Sequence, residues 1–331
     1  MPRTGPTNLI TDVAGLKVGN AEDRRALTGT TVIVPDAPCV AAADVRGGGP
    51  GTREIEVMDP ANLVDRIDAV VLSGGSAFGL AAADGAMVRL AALGRGFEVG
   101  GMRVPIVPAA ILFDLASGGA HDWGMNPPWR DLGIRAVDAL ATDFRLGNAG
   151  AGMGARAGGL KGGLGSASLV LDDGTTVGAL VAANPVGSVV MGDNRTFYAW
   201  ALERDGEFGG NPPPGPVPLD AMGPVRGAVP AAATTIAVVA TDAALDKGQA
   251  RRVAMMAHDG FARAIRPVHT PFDGDTIFAL STAKRRINGP VDLARIGAAA
   301  ADCLARAIAR AAWHAEDVAG LVSYRSFIAR N

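Results

Sequence analysis

Apolar residues recur along this chain in two ways. Short runs of β-branched and aliphatic residues are closed by glycine or polar turns, and longer alanine-rich stretches keep helical spacing. Thr31–Val34 and Val40–Val45 read as short strands, and Ala69–Leu72 is an unbroken apolar run of strand length that ends in Ser73-Gly-Gly-Ser76. Ser76 then stands as the N-cap of an alanine-rich helix to about Leu93, closed by Gly94 and Gly96. A strand, a Gly-rich turn and a helix N-terminus in that order predict a place for an anion or an oxyanion. Ala167–Leu171 and Thr175–Ala183, joined by Asp172-Asp-Gly174, predict a β-hairpin. Thr234–Thr241 is a strong buried-strand signal. Asp246 is the expected cap of a helix to about Ile265, with Ala250, Val253, Ala257, Phe261 and Ile265 on one face. Asp273-Gly274-Asp275 turns into a strand over Thr276–Ser281, and Pro290 opens a long helix to about Glu316 with Leu293, Ile296, Ala300, Leu304 and Ile308 on its buried face. Strands and helices mix without a regular βαβ alternation. The pattern therefore favours a layered α+β fold over a doubly wound sheet.

The chain has 331 residues, room for two domains or one large one. Lys and Arg number 31 against 33 Asp and Glu, so no basic excess points to nucleic acid or an anionic membrane surface. Sparse aromatics exclude base-stacking platforms, and a charged fraction of 19% fits a compact chain with interfaces to spare rather than a disordered one. The uncharged stretch Gly174–Gly192 is interrupted by Asn184-Pro185, which argues against a spanning helix. Met1–Pro6 has no apolar signal core, so a soluble cytoplasmic protein is expected. Cys39 and Cys303 are then expected as buried free thiols, a disulfide between them being the alternative. Between Asp205 and Pro230 prolines alternate with glycines, which predicts an extended surface linker and marks the clearest composition boundary.

Several motifs carry little chemistry. Gly150-Ala-Gly-Met-Gly-Ala155 matches a dinucleotide fingerprint in form, but no buried strand precedes it. No phosphate-loop pattern surrounds Lys161, and His121, His258, His269 and His314 form no metal motif, so neither a cofactor nor a metal is expected. Asp122 beside His121 reads as a surface pair rather than part of a triad. Thr234-Thr235 admits two readings. It is ordinary strand-forming sequence, or Thr234 is an N-terminal nucleophile released by scission after Ala233, its hydroxyl activated by its own α-amine. An α-amine titrates near 7.7–8.0, so roughly a tenth is neutral at pH 7, far more than for a lysine. Asp273-Gly274-Asp275 is likewise a turn or a pair of carboxylates holding an ammonium or orienting a hydroxyl, and Asn184 is a turn residue or an oxyanion donor.

Taken together the segments resemble the DmpA-type L-aminopeptidase/D-esterase family, which includes β-peptidyl aminopeptidases and nylon-oligomer hydrolases. The resembling strings are 8–19, 44–54, 72–79, 107–114, 147–152, 184–187, 234–242 and 269–276, in family order across most of the chain. The resemblance implies an α+β fold, a four-layer αββα sandwich spanning 1–331, and self-cleavage into chains 1–233, whose tail is the linker 205–233, and 234–331. It implies Thr234 as nucleophile, Asn184 on the oxyanion, Asp273 and Asp275 near the Thr234 amine and hydroxyl, and a site lysine at Lys161. It further implies a homo-oligomer such as a tetramer, and short peptides, amides or esters with a free amino group as substrates. Two positions depart from the family pattern. Ala233 stands where many members carry Asn or Gly, and Phe113 where some place a Tyr hydroxyl in the oxyanion hole. One lost donor costs about 2.7–4 kcal/mol of transition-state stabilisation. Either backbone N–H groups near Gly150–Gly152 replace it, or the substrate range differs. An acyltransferase resembling the ornithine acetyltransferases, or an uncleaved non-catalytic homologue, are the alternatives.

Overall fold

The computed structural model describes residues 1–192, 195–213, 215 and 233–330. In chain order its strands are β1 (Arg3–Thr4), β2 (Leu16–Asp23), β3 (Thr28–Pro35), β4 (Val40–Val45), β5 (Thr52–Arg53), β6 (Val70–Ser73), β7 (Phe97–Val99), β8 (Met102–Val104), β9 (Ala109–Ile111), β10 (Arg156–Ala157), β11 (Leu160–Lys161), β12 (Gly163–Val170), β13 (Thr176–Ala183), β14 (Ile236–Ala243) and β15 (Thr276–Arg285). Its helices are α1 (Ala81–Ala92), α2 (Trp129–Asp138), α3 (Lys247–Ala264), α4 (Pro290–Trp313) and α5 (Tyr324–Arg330).

Two sheets carry the fold. One runs β1-β12-β13-β14-β15-β4 and the other β2-β3-β6-β9-β5. Side chains of successive strand residues point to opposite faces, and both faces of the central strands are covered. In β14, Val238 and Ala240 enter the core shared by the two sheets, with Leu180, Phe278, Ile33, Val70 and Leu72. Ala237 and Val239 pack the other way, against Val253 and Phe261 of α3 and Ile296, Leu304 and Ile308 of α4. Helices α1 and α2 cover the far sheet, where Val32, Val34 and Val71 meet Leu90, Trp129 and Leu132. This is the four-layer αββα arrangement. It explains why the central strands read as continuous apolar runs rather than alternating ones.

Local sequence sets several element ends. Asp246 accepts the Gln249 N–H at 2.7 Å and Gln249 Oε1 accepts the Asp246 N–H at 3.0 Å, a reciprocal cap that starts α3. Pro290 occupies the first turn of α4. Two expectations are corrected. Ser76 is not an N-cap: it sits at φ +52°, a tight 3-10 turn follows over Ser76–Leu80, and α1 begins only at Ala81. The turn does hold a carboxyl group, but one belonging to the chain, since the Gly75 N–H donates to Asp114 Oδ1 at 2.8 Å. The start of the expected linker is also packed. Phe208 is 1% exposed, and Glu207 receives Arg306 Nε at 2.5 Å, so the buried guanidinium and carboxylate hold this segment against α4. Pro214 and residues 216–232 of the expected linker lie outside the described residues. Cys39 and Cys303 are buried and free.

Candidate active site

Two strand registers converge on residue 234. In the antiparallel pair β13–β14, Ile236 faces Ala182, and continuing that register sets Thr234 opposite Asn184. In the parallel pair β14–β15, Ile236 faces Thr276, which sets Thr234 beside Gly274. The backbone completes both alignments. Thr234 N–H donates to the Asn184 carbonyl at 2.8 Å, and Gly274 N–H donates to Thr234 Oγ1 at 3.2 Å. The Thr234 hydroxyl in turn donates to the Ala233 carbonyl at 2.5 Å. Thr234 is thus buried, 4% exposed, with its oxygen against its own preceding peptide. Gly274 allows this approach, because a Cβ there would stand 2.8 Å from Thr234 Oγ1 and 2.7 Å from the Gly49 carbonyl. The Gly47–Gly49 loop packs on the same turn, its Gly49 N–H donating to the Asp273 carbonyl at 2.8 Å.

Neither carboxylate hydrogen-bonds Thr234 itself; each holds the backbone of residues near it. Asp275 Oδ1 accepts the Thr235 N–H at 2.9 Å. Asp273 Oδ1 accepts the Val186 N–H at 3.1 Å, two residues past Asn184, and its Oδ2 accepts the Thr270 N–H at 3.1 Å and hydroxyl at 2.5 Å. Burial, reinforced by the Asp275 charge, pushes the Asp273 carboxyl above its ordinary range.

Asn184 is fixed at both ends of its amide. Oδ1 accepts the Arg156 N–H at 2.8 Å, and Nδ2 donates to the Phe113 carbonyl at 3.1 Å, leaving one Nδ2 proton uncommitted. Phe113 therefore contributes its carbonyl, which orients the amide. The expected backbone donors at Gly150–Gly152 are a correction, because all three are taken. Gly150 N–H goes to Glu22, Ala151 N–H to the Thr31 hydroxyl and Gly152 N–H to the Ala149 carbonyl. The Lys161 ammonium is buried, donating to the carbonyls of Gly152 and Gly162 at 2.8 and 2.9 Å with a third N–H to spare. Burial lowers its pKa to about 7, against the pull of Asp114, and burial raises Asp114 to about 7. The His121 ring lies tilted against Trp123 and Asp122 pairs with Arg25, so the adjacent His and Asp have separate surface partners.

Sequence reasoning missed His269 and His258. His269 Nδ1 lies 2.7 Å from Asp275 Oδ2, and His258 packs edge-on against it with centroids 4.8 Å apart. Only position in the motif 269–276 could have drawn attention to His269; the left-handed backbone that folds its ring back onto Asp275, φ +52°, is uncommon outside glycine and is not announced by the neighbouring residues. The His258 side chain is wholly buried, and burial lowers its pKa to about 4. The unfolded chain therefore takes up this proton first, and stability is lost as the pH falls from 6.5 towards 4. Denaturant midpoints measured across that range are expected to fall in the wild type and to fall less steeply in His258→Asn.

Among the described residues no group of three or more His, Cys, Asp and Glu is placed to hold a metal ion, and no helix is long and apolar enough to cross a membrane. The model of peptidase family S58 matches residues 8–325. An uncharacterised aminopeptidase of Mycobacterium tuberculosis is 45% identical over 96% of this chain and 97% of its own. A 6-aminohexanoate-oligomer endohydrolase of Paenarthrobacter ureafaciens is 31% identical over 84% of this chain and 76% of its own. Among solved structures, a β-aminopeptidase of a Burkholderia species superposes with a TM-score of 0.71 at 24% identity, covering 99% of this chain and 94% of that one. The L-aminopeptidase D-Ala-esterase/amidase of Ochrobactrum anthropi, a variant of the Ntn-hydrolase fold, superposes with the same score at 23% identity, with the same coverage of each chain.

Proposed function

The chain belongs to peptidase family S58; from that premise we propose that it is an N-terminal-nucleophile peptidase or amidohydrolase, that Thr234 is its nucleophile and that the chain releases it by cutting itself after Ala233. The observation that carries this reading is the Thr234 hydroxyl against the Ala233 carbonyl, with Gly274 N–H on the same oxygen. In maturation Thr234 Oγ1 adds to the Ala233 carbonyl carbon, the C–N bond breaks, and the acyl group passes to the oxygen as an ester. Water cleaves the ester, leaving Ala233 as a carboxylate and Thr234 with a free α-amine.

In turnover that amine accepts the hydroxyl proton as Oγ1 attacks a substrate amide or ester, then returns it to the leaving group. Water releases the acyl group. The spare Nδ2 proton of Asn184 and the third N–H of Lys161 are the proposed oxyanion donors. Asp275 and Asp273 hold the backbones of residues 235 and 186, so nucleophile and oxyanion donor stay in register through scission. Short peptides, amides and esters with a free amino group are the proposed substrates, in line with the aminopeptidase and 6-aminohexanoate-oligomer relatives. We further propose a cytoplasmic homo-oligomer.

The intact mass of freshly purified protein under denaturing conditions tests the first step. The 33.5 kDa chain is expected as two pieces of roughly 24 and 10 kDa, by residue count, the smaller beginning at Thr234. One whole species that persists on long incubation and hydrolyses no amide would overturn the reading. Acyl transfer to an added amine in excess of hydrolysis would turn it to an acyltransferase.

A further inference from the structure

Asp275 uses both carboxylate oxygens, and one residue outside the proposed catalytic set holds half of it. Oδ1 accepts the N–H of Thr235, the peptide that follows the nucleophile, at 2.9 Å. Oδ2 accepts two donors from His269, the backbone N–H at 3.2 Å and ring Nδ1 at 2.7 Å. The left-handed backbone of His269 lets one residue present both groups to one oxygen. Its ring is held in turn. His258 packs edge-on at 4.8 Å and Phe261 lies 5.9 Å away, both from α3. His258 Nε2 faces the Asp44 carbonyl at 3.2 Å and the Asp44 carboxylate at 3.6 Å, so the ring that buttresses His269 is tied to the neighbouring edge strand β4.

We propose that His269 is a positioning residue of the Thr234 site, its Nδ1–H fixing the Asp275 carboxylate and thereby the start of β14 that carries the nucleophile. The proposal rests on the Thr234 reading. Before scission the Ala233–Thr234 peptide anchors residue 234 from the N-terminal side. After scission that anchor is gone, and the aim of the new amine and hydroxyl depends on residue 235, which Asp275 holds. Without the ring donor the carboxylate keeps only the longer backbone contact at Oδ2 and can turn about its side-chain torsions. A displacement of about 1 Å costs on the order of 10²-fold in rate. The loss falls on kcat, because His269 acts behind the nucleophile.

Two substitutions separate donation from packing. His269→Phe keeps an aromatic ring against His258 and Phe261 but removes the donor. His269→Asn loses the ring but keeps an N–H near the position of Nδ1. Steady-state hydrolysis of alanine p-nitroanilide by the purified, cleaved proteins is expected to show kcat about 10- to 100-fold lower in His269→Phe, with KM within a factor of three. His269→Asn is expected to stay within a few-fold of wild type in both. Full activity in His269→Phe overturns the proposal. Equal loss in both variants, or a collapse of thermal stability in both, also overturns it by making the ring structural only. The underlying Thr234 reading fails separately, in the wild type, as an uncut chain without hydrolysis.

Discussion

The Thr234→Ala chain is expected to remain whole at 33.5 kDa and to hydrolyse no amide or ester above background. Both steps of the proposed chemistry need the same oxygen, and alanine removes it while keeping the backbone. The N–H of residue 234 still bonds the Asn184 carbonyl, and Thr235 still bonds Asp275, so the fold is expected to survive. Loss of the nucleophile from a covalent hydrolase costs about 10⁶-fold in kcat. Thr234→Ser restores a hydroxyl on the same backbone and is expected to recover both scission and hydrolysis. The check is an intact mass for each variant, followed by progress curves on an amino-acid p-nitroanilide. Scission or full hydrolysis in Thr234→Ala would mean that another group attacks, and the mechanism would fall.

Asn184→Ala carries the next largest effect, a drop in kcat of about 10² to 10³, with slower maturation as well. The carbonyl of residue 184 still accepts the Thr234 N–H in this variant, so the nucleophile keeps its place and only the side-chain amide is lost. Asn184→Asp sharpens the test. Its oxygen can replace Oδ1 as acceptor for the Arg156 N–H, but the other oxygen, when ionised, faces the Phe113 carbonyl where Nδ2 donates now. An ionised carboxylate there would also repel an oxyanion, so this variant is expected to be the slower of the two above neutral pH. A kcat for Asn184→Ala within two-fold of wild type would remove Asn184 from the oxyanion site and leave Lys161 as its side-chain donor.

Much of the molecule is legible in local patterns. The apolar runs within Val40–Val45 and Thr234–Thr241 coincide with or overlap β4 and β14; β14 is buried along its whole length, which is why Ile236–Ala240 carries no polar side chain. Asp246 and Pro290 open their helices because capping and a preset φ act within one turn. Ser76 failed as a cap because tertiary contacts outweigh propensity there. The turn is pinned by Gly75 N–H to Asp114, a residue 39 positions on, and α1 starts where that constraint ends. The expected linker misled at its start for a similar reason, since Glu207 and Phe208 take partners on α4 and in the core that composition cannot name.

By itself the sequence determined the class of fold, the residue types the chemistry needs and, through motif order, Thr234, Asn184, Asp273, Asp275 and Lys161 as the residues to examine. The layered α+β class follows from periodicity and capping, which are short-range properties of a chain, whereas the five residues were singled out together by the resemblance of the motifs to a known family. The tertiary structure alone decided what those residues do to one another. Register across two strand pairs sets residue 234 between Asn184 and Gly274. The carboxylates grip neighbouring backbones instead of the nucleophile, and burial brings Lys161 and Asp114 together near pH 7. A left-handed turn folds His269 onto Asp275. Each depends on residues far apart in sequence, or on a backbone state uncommon outside glycine. Each exists only because the packed sheets and helices hold it there.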